Sequence, residues 1–259
     1  MAFADTQGAQ THYVLEGATR APALVLSNSL GTNLSMWNPQ MPTFQSVSRL
    51  LRYDTRGHGK SAATPGDYSI ELLGRDVISQ LDQLALGRVD FCGLSMGGMI
   101  GMWIGVHAPE RLRKLVLCNT APKIGTTETW NARIGAVRKG GMKAIASAVI
   151  ARWFSPAFRT KYPETVAKFR EMLERANPAG YASCCAAVRD FDFRKTLSAI
   201  RLPTLVIAGA YDPVTSPSDG QFLADHIPEA RYRELAAAHL SNIEDQDHFT
   251  AAVCEFLGT

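Results

Sequence analysis

The chain has 259 residues, 46% of them hydrophobic and 20% charged, with a formal net charge of +3. That balance describes an ordinary folded globular protein, and α/β folds of this length are often one domain. No run of Lys or Arg could track a phosphate backbone, and no apolar stretch approaches membrane-spanning length, so neither nucleic acid nor a membrane is expected as a partner. Residues 1–6 lack the basic start and apolar core of a signal peptide. The five cysteines show no CxxC spacing, and Cys184 and Cys185 are adjacent, which suits neither a disulfide framework nor a zinc site. The expectation is a reducing cytoplasm.

Residues 11–16 alternate like an early, half-exposed strand, and residues 23–27 and 49–54 read as the next two. Residues 69–86 carry helical periodicity, with Leu72, Leu73, Val77, Ile78 and Leu81 on one face. An apolar strand at 89–92 runs into Gly93-Leu94-Ser95-Met96-Gly97, and an apolar helix begins at Gly98. Residues 114–118, 204–208 and 230–235 give three further strands, the last two separated by a helical pattern around Phe222. Such alternation predicts an α/β fold with a doubly wound, mostly parallel sheet. Between Asn119 and about Lys195 the strand rhythm stops. This stretch is helical in pattern and carries Trp130, Trp153, Phe154, Phe158 and Phe169. An insertion after a strand's C-terminal end lies over the edge where open α/β sheets bind ligands. The expected organisation is therefore a core over 1–121, a helical lid over 122–194, and the rest of the core over 195–259. A peripheral helical layer is the alternative.

A G-x-S-x-G between a strand and a helix is a nucleophile elbow. Its turn is so tight that the positions two residues either side must be tiny, and it presents the Ser95 hydroxyl above the sheet. A serine hydroxyl is a weak nucleophile near neutral pH, so it needs a base, and the base an orienting acid. In this architecture the order along the chain is Ser, acid, His. His12 and His58 precede the serine, His107 lies late in the following helix, and His226 and His248 fall in helical segments. His239 follows a strand through the small-residue loop Ala236-Ala237-Ala238, which puts it on the same rim as Ser95. It is the predicted base. Asp212 sits where the strand at 204–208 runs into a turn and is the predicted acid. Asp190 and Asp192 belong to the lid's end, Asp225 to a helix, and Glu244 and Asp245 to a helix start.

The developing oxyanion needs two N–H donors. Met96 supplies one, and Leu30, in the loop Asn28-Ser29-Leu30-Gly31, is the candidate for the other. The loop at 53–61 holds Asp54, Arg56 and His58 together, but its position before the elbow predicts a structural role, buttressing the neighbouring strands.

Taken together, these residues resemble the α/β-hydrolases, and more narrowly the bacterial 3-oxoadipate enol-lactonases. The segments carrying the resemblance are 26–32, 53–61, 91–101 and, most distinctively, 114–125. Trp130-Asn131-Ala132-Arg133-Ile134 and Arg152-Trp153-Phe154 add the lid signature. Many α/β-hydrolases have His-Gly before the oxyanion residue where this chain has Asn28-Ser29, a departure usual among the enol-lactonases. The resemblance implies a small-molecule lactone as partner, opened to 3-oxoadipate through an acyl-enzyme, with no metal or organic cofactor. The carboxylate on that lactone's side arm needs a cation, and arginine suits it. Arg133 shares a helical face with Trp130. Arg133 is expected to hold the carboxylate and Trp130 to wall the apolar part of the pocket, the alternative being an exposed arginine in a surface ion pair. A carbon–carbon bond hydrolase, a general carboxylesterase with perhydrolase activity, and a ligand receptor retaining the triad are the competing functions.

Overall fold

The computed structural model describes residues 2–17 and 21–258. In chain order the first part comprises β1 (Ala2–Thr6), β2 (Ala9–Gly17), β3 (Ala23–Ser27), α1 (Met41–Val47), β4 (Arg49–Tyr53), α2 (Ile70–Gln83), β5 (Val89–Leu94), α3 (Met96–His107) and β6 (Leu112–Cys118). Five helices follow: α4 (Thr127–Gly140), α5 (Lys143–Trp153), α6 (Pro156–Lys161), α7 (Pro163–Glu174) and α8 (Pro178–Asp190). The chain then completes the sheet with β7 (Thr204–Gly209), α9 (Pro217–His226) and β8 (Arg231–Leu235), and ends in α10 (Ser241–Glu244) and α11 (Gln246–Leu257). Among the described residues the strands form one sheet in the order β1-β2-β4-β3-β5-β6-β7-β8. The pairings β1–β2 and β2–β4 are antiparallel and all the others parallel.

The parallel strands β3, β5 and β7 are buried at every position, as strands covered by helices on both faces must be, and they read as nearly continuous apolar runs. The one charged residue among them, Asp90 in β5, is buried in an ion pair with Arg113 on the neighbouring strand. Helix α2 starts where Ser69 caps it by accepting the Leu72 N–H at 3.0 Å, and it buries Ile70, Leu73, Val77 and Leu81. The predicted strands agree with the observed ones to within two residues at each end, β2 and β6 both beginning two residues earlier than expected, and only β1 has no counterpart in the sequence reading. β1 has five residues and is held by cross-strand pairs such as Phe3 with His12, a partner its local pattern does not announce.

Helices α4–α8 lie between β6 and β7 in the chain, and their aromatic side chains pack on one another within a hydrophobic core continuous with that of the sheet. Phe154 stacks on Phe158 at 5.2 Å and meets Phe169 edge-on at 5.4 Å, and Trp153 meets Phe169 at 6.3 Å. They are stitched to the sheet domain at several points. Leu240 N–H donates to the Trp153 carbonyl at 3.0 Å, and Tyr68 N–H to the Ser183 carbonyl at 3.1 Å. The Glu244 carboxylate accepts both the Ser155 N–H (3.1 Å) and the Ala238 N–H (3.2 Å). Gly57 and Gly180 touch backbone to backbone, so that a Cβ on Gly180 would lie 2.3 Å from the Gly57 carbonyl oxygen. No described helix is long and apolar enough to cross a membrane.

Candidate active site

Ser95 joins β5 to α3 with φ +57°, a conformation that side chains rarely adopt and that commonly marks functional turns. The glycines either side are required by contact. A Cβ at Gly93 would lie 2.2 Å from the Gly97 carbonyl oxygen, and one at Gly97 2.2 Å from that of Ser27. The strained turn is held by the Ser95 N–H donating to the Cys118 carbonyl at 2.9 Å, and by the Thr120 hydroxyl donating to the Ser95 carbonyl at 2.8 Å.

His239 follows β8 and is almost wholly buried. Its Nδ1 lies 2.7 Å from Asp212 Oδ2, in the turn after β7. Asp212 is an acceptor for five groups. Its Oδ1 takes the Val214 and Thr215 N–H groups (2.8 and 3.1 Å), and its Oδ2 takes the Thr215 hydroxyl (2.8 Å), the Asn119 amide (3.0 Å) and His239. Burial opposes ionisation, but the His239 ring and these donors outweigh it and hold the Asp212 carboxyl below its ordinary range. An ionised carboxylate can only accept, so the Nδ1 of His239 carries the proton and its Nε2 is left to receive one. Among the described residues the Ser95 hydroxyl makes no hydrogen bond to His239, though both line the same cavity. Such bonds are often long before substrate binds.

The N–H groups of Leu30 and Met96 have no acceptor among the described residues, whereas their neighbours are committed. Gly97 N–H donates to the Asn28 carbonyl at 3.1 Å, and Gly31 N–H to His58 Nε2 at 2.9 Å. The loop at 53–61 therefore buttresses more than strands. Asp54 accepts from His12 Nδ1 and Leu34 N–H, both at 2.8 Å, Arg56 clamps Asp76 of α2 through two hydrogen bonds (2.6 and 2.7 Å), and His58 holds the turn that carries Leu30.

Ser95, His239, Leu30, Trp130 and Arg133 all border one narrow cavity. Ile124, Val149, Val188 and Val214 give it apolar walls. The Trp130 ring is fixed by its Nε1 donating to the Ile124 carbonyl at 2.7 Å, and the Arg133 guanidinium lies 4.6 Å from that ring's centre. The other histidines lie elsewhere: His107 and His226 bond to carbonyls within their own helices, and His248 is exposed beside Asp245. Asp190 and Asp192 pair with Arg189 and Arg194.

Two site residues escaped the sequence reading. Asn119, at φ +44°, donates through its amide to Asp212 and to the Ala238 carbonyl (3.1 Å) while accepting the Ser241 hydroxyl at 2.5 Å, so one side chain ties the acid to the histidine's loop. Arg152, in the last turn of α5, also borders the cavity, whose lining contains no Asp or Glu.

Comparison with known proteins places this geometry. Residues 22–246 match the alpha/beta hydrolase fold family. The chain is 46% identical over 254 residues to 3-oxoadipate enol-lactonase 2 of Acinetobacter baylyi, covering 97% of this chain and 95% of that one. It is 40% identical to 3-oxoadipate enol-lactonase 1 of the same organism, over 94% of this chain and 91% of that one. The crystal structure of an enol-lactonase from Burkholderia xenovorans superposes with a TM-score of 0.98 at 43% identity, covering all of both chains. The chain belongs to the α/β-hydrolase family and, within it, stands with the 3-oxoadipate enol-lactonases.

Proposed function

We propose that this protein hydrolyses 3-oxoadipate enol-lactone to 3-oxoadipate, a step in the bacterial breakdown of aromatic compounds. The observation that carries the reading is the likeness to named enol-lactonases over nearly the whole chain, at 46% and 40% identity. Supporting it is a cavity that holds a serine, a histidine backed by a carboxylate, and arginines among apolar walls.

In this mechanism the Ser95 hydroxyl oxygen attacks the lactone carbonyl carbon while His239 Nε2 takes its proton. Asp212 keeps the imidazole in the required tautomer and stabilises the imidazolium that forms. The tetrahedral oxyanion is met by the Leu30 and Met96 N–H groups. The bond from the carbonyl carbon to the ring oxygen then breaks. Its electron pair leaves as an enolate, a better leaving group than an alkoxide, which takes the proton held on His239 Nε2, restoring the neutral imidazole, and relaxes to the ketone. Water, deprotonated by His239, attacks the acyl-enzyme and releases the second carboxylate together with Ser95. Arg133 holds the side-arm carboxylate against Trp130 throughout, and helices α4–α8 act as the lid that shields the cavity.

Steady-state hydrolysis of freshly generated enol-lactone, beside a simple aryl ester, tests the reading. A kcat/KM for the lactone several orders of magnitude above that for the ester is expected, with Ser95→Ala lowering lactone turnover by roughly 10⁴-fold or more. Equal or better ester turnover would replace the lactonase by a broad esterase. Absence of turnover on both would favour a ligand receptor.

A further inference from the structure

The catalytic cavity contains two guanidinium groups, Arg133 from α4 and Arg152 from α5, and no Asp or Glu lines it. Elsewhere the two buried arginines among the described residues, Arg52 and Arg56, pair with Glu16 and Asp76. Arg133 is partly compensated by the Trp130 face beneath it. Arg152 has no such relief: among the described residues it forms no hydrogen bond, ion pair or ring contact. Burial, and then the neighbouring Arg133 charge, push the Arg152 guanidinium below its ordinary value. Two like charges in a partly dry pocket are unfavourable to the empty protein, and a desolvated cation needs an anion or several acceptors. A fold that retains this arrangement leaves room for a negative charge supplied from outside.

We propose that Arg152 joins Arg133, assigned above to the side-arm carboxylate, in binding that group, and that Arg152 is the residue that makes the site select anionic over neutral lactones. A carboxylate has two oxygens and about four acceptor positions, enough for two planar donors at once. The backbone holds Arg152 in register with the chemistry, since the carbonyl of the next residue, Trp153, accepts the N–H of Leu240, the residue after His239. The substrate's identity here rests on the lactonase reading above, but the carboxylate subsite does not.

The test compares the wild type with Arg152→Gln, Arg152→Lys and Arg133→Gln on two substrates. One is the enol-lactone with its carboxymethyl arm, the other the same ring carrying a methyl group instead. The ratio of kcat/KM values, anionic over neutral, should fall about tenfold or more in Arg152→Gln, the effect of losing a charged hydrogen-bond partner. Arg152→Lys, which keeps the charge without the planar fork, should recover part of it. Thermal unfolding gives a readout independent of activity. Removing a repelled charge should raise the Tm of the ligand-free protein, and adipate, a dicarboxylate probe, should raise the Tm of the wild type but not of Arg152→Gln. An unchanged ratio overturns the proposal. So does a lowered Tm with both substrates losing activity equally, which would mark a structural role. If the wild type opens neither lactone yet adipate stabilises it through Arg152, the lactonase reading fails and the subsite stands. If it opens the anionic lactone while stabilisation by adipate ignores Arg152, the subsite fails and the lactonase reading stands.

Discussion

His58 shows how much of a site can depend on a residue that never faces the substrate. Its Nε2 accepts the Gly31 N–H, so it must be unprotonated at that nitrogen for the Leu30 turn to hold its shape. Burial favours this, pushing the His58 pKa below its ordinary 6.5 against the opposing pull of the Arg56 carbonyl and Asp54. Because the unfolded chain takes up a proton near pH 6.5 that the folded protein refuses, this residue's stabilisation is complete above that pH. It drains away as the pH falls, until the lower folded pKa is reached. Urea midpoints measured from pH 7.5 to 5 should therefore fall with pH. In His58→Gln the slope should be shallower, by up to about 1.4 kcal/mol per pH unit. An identical slope in the variant would remove His58 from the account. Residues whose placement follows from strand ends, Ser95, Asp212 and His239, were legible in the sequence because a strand's exit fixes which rim it serves. Asn119 was not, since its partners Asp212 and Ala238 are 93 and 119 positions away and nothing local signals them. Arg152 was visible only as part of a lid signature, because which way a helical arginine points depends on how its helix packs.

At the scale of elements, the contact between the loop at 53–61 and α8 gives a substitution whose sign local propensity gets wrong. Gly180 lies in the first turn of α8, where Gly→Ala ordinarily favours a helix by up to about 1 kcal/mol. Here the new Cβ would meet the Gly57 backbone, which has φ +76° and cannot yield cheaply. Gly180→Ala should destabilise the protein by about 1–3 kcal/mol in urea unfolding, the range seen for overpacking. A stabilised variant would mean that the helix and loop separate freely. The same scale explains why β1 went unread while the central strands did not. The buried parallel strands advertise themselves as unbroken apolar runs, whereas β1 alternates over only five residues and owes its place to a hairpin partner.

Across the whole molecule, the hydrogen bonds at Leu240, Tyr68 and Glu244 join α4–α8 to the sheet at separated points. The two parts are therefore expected to unfold together. Trp130 and Trp153 report from the inserted helices, and Trp37 and Trp103 from the sheet domain, all four buried. Single-tryptophan variants should give coincident denaturant transitions, and an early transition at Trp130 or Trp153 alone would show independent units.

Glu244 has one more implication. A single carboxylate grips both the backbone just before His239 and the backbone just after the α5 segment that carries Arg152. The spacing between His239 and Arg152, the proposed base and the proposed anion clamp, is thus set by this rivet together with the Leu240–Trp153 hydrogen bond, as the jaws of a gauge are set by shared pins. A lineage acquiring a substrate of different length could not slide α5 outward without dragging the histidine loop with it. New specificity in this scaffold would come by exchanging side chains along a wall of fixed spacing, leaving the frame itself where it stands.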